Sequence, residues 1–137
     1  MRYRLIDHTA DTGVFLAAAD GRSLFENAAF ALFDLLTDLD RVAGSETLSL
    51  SVSGQDWPDL MVNWLRELLY LWAGRELLVK AARVYGLDRY RLSATLAVEP
   101  FDPRRHVIKT EIKAVTYHQL AVTSGPDGWR AQVVFDI

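Results

Sequence analysis

Apolar and polar positions along this chain follow two periods, and the switch between them marks the elements. Residues 2–7 and 13–19 read as strands, the second weakened by three alanines, which are poor strand formers. Asp20-Gly21 is a turn signal. Ser23 followed by Glu26 is a capping-box pattern that predicts a helix start. Leu24, Phe25, Ala28, Ala31, Leu32, Leu35 and Leu36 then recur at helical spacing, so helix 1 is expected to end near Thr37. Residues 46–53 return to period two, with Leu48, Leu50 and Val52 inward and Ser49, Ser51 and Ser53 outward. Asp56 is placed to cap a second helix, with Pro58 tolerated in its first turn and Gly74 as a stop. Leu60, Met61, Trp64, Leu65, Leu68, Leu69 and Trp72 form its apolar stripe.

From Leu77 onward the period is two. Strands are expected over 77–85 and 89–98 about a turn at Gly86-Leu87-Asp88, over 107–115 and 117–123, and over 129–136 after the turn Gly125-Pro126-Asp127-Gly128. Two helices and about eight strands predict an α+β fold, a two-layer arrangement with both helices on one face of a mainly antiparallel or mixed sheet. Helices and strands do not alternate after residue 75, which argues against a doubly wound parallel sheet. No repeat or linker divides the chain, so residues 1–137 are expected to form a single domain.

Composition narrows the chemistry. There is no cysteine, which excludes disulfides, thiolate metal sites and cysteine nucleophiles. The net charge of −3 argues against a broadly basic nucleic-acid surface. The loop Arg104-Arg105-His106 is expected to be a solvated turn rather than a phosphate contact. No apolar run approaches the roughly 18–20 residues of a membrane span, and no signal peptide is evident, so a cytoplasmic protein is expected. P-loop, dinucleotide, zincin and nucleophile-elbow patterns are all missing.

What remains is acidic. Asp7-His8-Thr9-Ala10-Asp11 interrupts a strand, Asp38 falls at the exit of helix 1, and Asp136 stands beside the Ile137 carboxylate. Hard cations such as Ca²⁺ and Mg²⁺ take several oxygen ligands at one point, and these are the candidate donors. In the last strand Ala131, Val133, Phe135 and Ile137 share one face, which leaves Asp136 on the other, held between Phe135 and Ile137. Each candidate also has a structural reading. Asp11 is suited to capping a turn, His8 to a local hydrogen bond, Asp38 to a loop, and Asp136 to a solvated strand end. Lys113 shares a face with Val115 and Tyr117 if Ile112 and Ala114 point to the core. It then either pairs with a carboxylate or phosphate or is simply solvated.

These same residues resemble the archease family. The resemblance runs through Asp7-His8-Thr9-Ala10-Asp11, Leu24-Phe25-Glu26-Asn27-Ala28-Ala29, Leu36-Thr37-Asp38 and Trp64-Leu65-Arg66-Glu67-Leu68-Leu69-Tyr70. It continues in Glu111-Ile112-Lys113-Ala114-Val115-Thr116-Tyr117-His118 and the ending Phe135-Asp136-Ile137. One departure is Val98-Glu99, where the family pattern leads one to expect Gly-Glu. The resemblance implies a protein cofactor, not itself an enzyme, that activates an RtcB-type RNA ligase of tRNA splicing and RNA repair. It would promote the ligase's guanylylation and multiple turnover. It further implies a divalent metal, Ca²⁺ foremost with Mg²⁺ or Mn²⁺ as alternatives, held by Asp11, Asp38, Asp136 and the Ile137 carboxyl. Lys113, together with His8, would serve activation of the partner. RNA would be met only through the ligase, and no membrane is involved. The competing readings are an autonomous metal-dependent phosphohydrolase and a chaperone-like binding module.

Overall fold

The computed structural model describes residues 2–7 and 11–137. Seven strands and two helices follow in the order β1 (Arg4–Asp7), β2 (Asp11–Ala18), α1 (Gly21–Leu36), β3 (Glu46–Ser53), α2 (Trp57–Arg75), β4 (Leu77–Asp88), β5 (Arg91–Pro100), β6 (Ala114–Gly125) and β7 (Gly128–Asp136). The strands form two sheets, not one. The first has four strands in the order β1-β2-β7-β6, the second three in the order β3-β5-β4, and every pairing is antiparallel.

Both helices touch both sheets: α1 lies against β2, β7 and β4, and α2 against β6, β3, β4 and β5. The expected packing on one face of one sheet is therefore corrected. The reason is visible in the helices. Buried positions on α1 include Leu24, Phe25, Ala28, Ala29, Ala31, Leu32, Phe33 and Leu36, a band wider than one stripe. A helix apolar on so much of its circumference needs cover on more than one side. Trp64 of α2 lies fully buried in the shared core and donates its indole N–H to the Phe25 carbonyl across the helix pair at 2.9 Å.

Helix ends follow side-chain chemistry. Asp20, not Ser23, caps α1, and its carboxylate accepts the Ser23 backbone N–H at 2.8 Å. That bond is the main reason its carboxyl sits below the usual range. Glu26, freed from the expected box, accepts the Val84 backbone N–H at 2.8 Å and ties α1 to β4. Asp56 caps α2 as expected, accepting from Asp59 N–H, while Asp59 accepts from Gln55 N–H. α2 runs past Gly74 to Arg75, with Glu76 in the left-handed region at φ 53°.

The eighth strand is missing for a local reason. Residues 107–113 make one isolated bridge, Thr37 with Ile108, and the expected strands at 107–115 and 117–123 become the single strand β6. β6 carries an irregularity between Thr116 and Ala121. The expected turn at 86–88 also moves. Gly86 lies within β4 opposite Ser93 at a register shift, where a glycine relaxes a bulge, and the chain reverses at Arg89-Tyr90.

Candidate functional site

The register of the four-stranded sheet joins the two ends of the chain. β2 and β7 pair so that Asp11 lies directly opposite Asp136, and β6 enters the same line with Ala114 opposite Asp136. Lys113 donates its backbone N–H to the Asp136 carbonyl at 2.7 Å. Residues opposite one another in an antiparallel pair project to the same face. Asp11 and Asp136 therefore share the face away from Val14, Leu16, Val133 and Phe135, which are buried in the core. Phe135 is fully buried and fixes the end of β7, whereas Ile137 is 39% exposed. The expected clamp of Asp136 between two buried neighbours thus rests on Phe135 alone.

Directly opposed carboxylates repel, and among the described residues neither Asp11 nor Asp136 forms an ion pair or a hydrogen bond through its side chain. Anionic oxygen donors on one face, with no side chain among the described residues neutralising them, are the donor chemistry that a hard cation takes. Among the described residues, however, no three His, Asp or Glu side chains converge to hold a metal ion. The carboxylates brought together are a pair.

Asp38 follows α1, as expected, and caps the short 3-10 turn Leu39–Arg41. Its carboxylate accepts from Asp40 N–H at 3.1 Å and lies 3.6 Å from the Arg41 guanidinium. A connection to the pair runs through the backbone. Lys109 N–H bonds to the Leu36 carbonyl, and four residues later Lys113 bonds to Asp136, with Ile112 buried between. His8 lies outside the described residues.

Lys113 is exposed and lines a groove with Arg66, Leu69, Tyr70 and Ala73 of α2. The expected face assignment changes here. Ile112 points to the core, but so does Val115, because 111–113 precede the strand and do not share its alternation. His118 stands in the irregular part of β6, exposed, with its backbone N–H on Thr116 Oγ1 at 3.2 Å.

A polar cluster at the start of the 101–113 stretch was not legible as such. Glu99 and His106 are 5% and 3% exposed. Glu99 accepts from Ala43 N–H at 2.7 Å, from His106 Nε2 at 3.2 Å and from the Arg105 guanidinium. Asp102 N–H bonds to His106 Nδ1 at 2.9 Å, which puts the ring proton on Nε2, toward Glu99. Burial works to raise the Glu99 carboxyl. Donation from Ala43, His106 and Arg105 outweighs it and holds the group below the ordinary range. The Arg104-Arg105-His106 loop is thus not simply a solvated turn. The usable signal was a glutamate seven residues before a histidine, with Phe101 between them to pack on Trp72 and His106. Val98, the departure from the family pattern, is a buried β5 residue opposite Glu46 and Val79.

Residues 3–137 match the model of the Archease protein family (MTH1598/TM1083). The chain belongs to the archease family. Protein archease of Methanosarcina barkeri is 37% identical over 140 residues, covering 99% of this chain and 96% of the relative. Protein archease of Pyrococcus abyssi is 34% identical over 140 residues, covering 99% of each. The solution structure of Methanobacterium thermoautotrophicum protein 1598 superposes with a TM-score of 0.84 at 27% identity, covering 99% of each chain. In this archease no helix among the described residues is long and apolar enough to cross a membrane.

Proposed function

We propose that this archease activates an RNA ligase of the RtcB type, promoting its guanylylation and multiple turnover in tRNA splicing and RNA repair, and does not itself ligate. Family membership supports the partner class. The observation that carries the site is the pairing of Asp11 with Asp136 at the sheet end, with Lys113 bonded to the same strand.

Asp11 and Asp136 would hold a divalent cation, Ca²⁺ foremost, with the Ile137 carboxyl; Asp38, engaged here by Asp40 N–H and Arg41, would join them only by turning from those partners. A bound cation supplies positive charge that orients and neutralises phosphate oxygens as a nucleotide is transferred. The chain's own work is to hold the carboxylates rigid. Phe135 anchors Asp136, β2 sets Asp11 opposite it, and the Lys109–Lys113 stretch links the exit of α1 to the same strand. Lys113 keeps its side chain exposed on the neighbouring surface, available to a partner or a phosphate. His8 is proposed as a further activation residue.

The test is ligase guanylylation with and without this protein, comparing wild type with the Asp11→Ala/Asp136→Ala double variant and following metal binding by calorimetry. Loss of both metal binding and stimulation in a folded variant is expected. Full stimulation by a variant that binds no metal would sink the metal mechanism and favour a chaperone-like module.

A further inference from the structure

Beside the carboxylate pair lies a surface of opposite character. Arg66, Tyr70 and Lys113 line a groove of about 300 Å³ between α2 and the start of β6. Tyr117 extends the same surface through its ring contact with Arg66. Tyr70 and Tyr117 are 59% and 54% exposed, among the largest exposed apolar groups of the described residues.

These side chains are exposed yet held. The Arg66 guanidinium stacks over the Tyr117 ring at 4.8 Å and donates to the Val115 carbonyl at 3.2 Å. Tyr117 OH reaches Asp59 at 3.4 Å. The Tyr70 ring lies along the helix over Gly74, where a methyl group would stand 2.5 Å from it. Gly74 therefore sits inside α2, where glycine is unfavourable, in a way that leaves room for this ring. Groups ordered before binding lose little entropy on binding, and tyrosine and arginine are the residue types that dominate interface energetics. Lys113 forms no ion pair or side-chain hydrogen bond among the described residues, and Arg66 meets no carboxylate within ion-pair distance.

We propose that this groove receives an acidic segment of a protein partner, with carboxylates on Arg66 and Lys113 and an apolar side chain against Tyr70. The charge pattern selects that occupant. Two cations suffice for one or two carboxylates. A nucleic-acid strand needs a basic track along its phosphates. The groove carries two cations, Arg66 and Lys113, and its extension at Tyr117 meets Asp59, so no such track runs along it. The inference rests on the ligase-partner reading for the identity of the partner and adds where and by what chemistry it docks.

The experiment measures binding of the cognate ligase to immobilised full-length protein between 50 and 300 mM NaCl, roughly the range over which screening takes hold. It compares wild type, Arg66→Glu/Lys113→Glu and Tyr70→Ala, with folding of each checked by circular dichroism. Wild-type affinity is expected to fall as salt rises. The charge-reversed variant should bind at least about tenfold more weakly at low salt, with a flatter salt dependence, and Tyr70→Ala should dissociate faster. If the ligase binds wild type and the charge-reversed variant with equal affinity and equal salt dependence, the groove is not the docking site, although the partner reading stands. If the ligase does not bind wild type at all, both fail. A single-stranded oligonucleotide that binds this groove while the ligase binds elsewhere also overturns the acidic-segment assignment.

Discussion

Asp136 has an unusual combination of neighbours: a fully buried Phe135 behind it and the carboxylate of Asp11 across the strand pair. Without a cation, that opposition costs stability. Asp136→Asn is therefore expected to stabilise the metal-free protein by up to about 1 kcal/mol, the size of a cross-strand charge pair. The same change should reduce the gain in melting temperature on adding Ca²⁺. Thermal melts with and without Ca²⁺ check both signs, and a destabilised metal-free variant would show that the pair does not repel. Glu99 behaves differently, because its donors stabilise the charged form. A carboxyl lowered in the folded state contributes stability that is complete above the ordinary carboxylate range. That contribution is lost as pH falls through the lowered native value. Glu99→Gln should cost about 1.5–3 kcal/mol at pH 7, the range for a hydrogen bond to a charged group. The cost should shrink toward pH 3, as read from urea midpoints at the two pH values.

At the scale of elements, cap chemistry was legible where one residue decided it. Asp56 and Pro58 stand where helix-start rules put them, and Thr37 ends α1 as expected. Asp56→Ala should cost about 1 kcal/mol, measured by chemical denaturation, since it orphans the Asp59 N–H. Ser23 misled because two cap-type residues, Asp20 and Ser23, stand at the same helix start. Asp20 is three positions before the Ser23 N–H and wins, while Glu26 finds a partner on β4 that the local sequence does not reveal. Alternation located β3, β5 and β7 well. It failed at 107–113, where the chain bonds to Leu36 and Asp136 from outside the ladder, and at Gly86, which reads as a turn but serves a bulge.

For the whole molecule, the sequence carried the α+β class and the two helices but not the division into two sheets. Strand partners are long-range choices, and period two is silent about which strand lies beside which. The candidate site was legible in part for the same reason. Asp11 and Asp136 stood out as acidic residues at the chain's two ends, but only the β2–β7 register makes them neighbours. The groove of Arg66, Tyr70 and Lys113 was hidden because it joins a helix face to a segment about forty residues later. The paired carboxylates lie at one end of β2 and β7, and the cationic-aromatic groove lies between α2 and the start of β6, where Lys113 N–H bonds to the Asp136 carbonyl. The most direct measurement is ligation by the cognate RNA ligase at limiting ligase, counting products per ligase with wild-type protein and with Asp136→Ala at equal folded concentration. Wild type should carry the ligase through many turnovers and Asp136→Ala should leave it near one. Equal turnover with both would contradict a working role for the carboxylate pair.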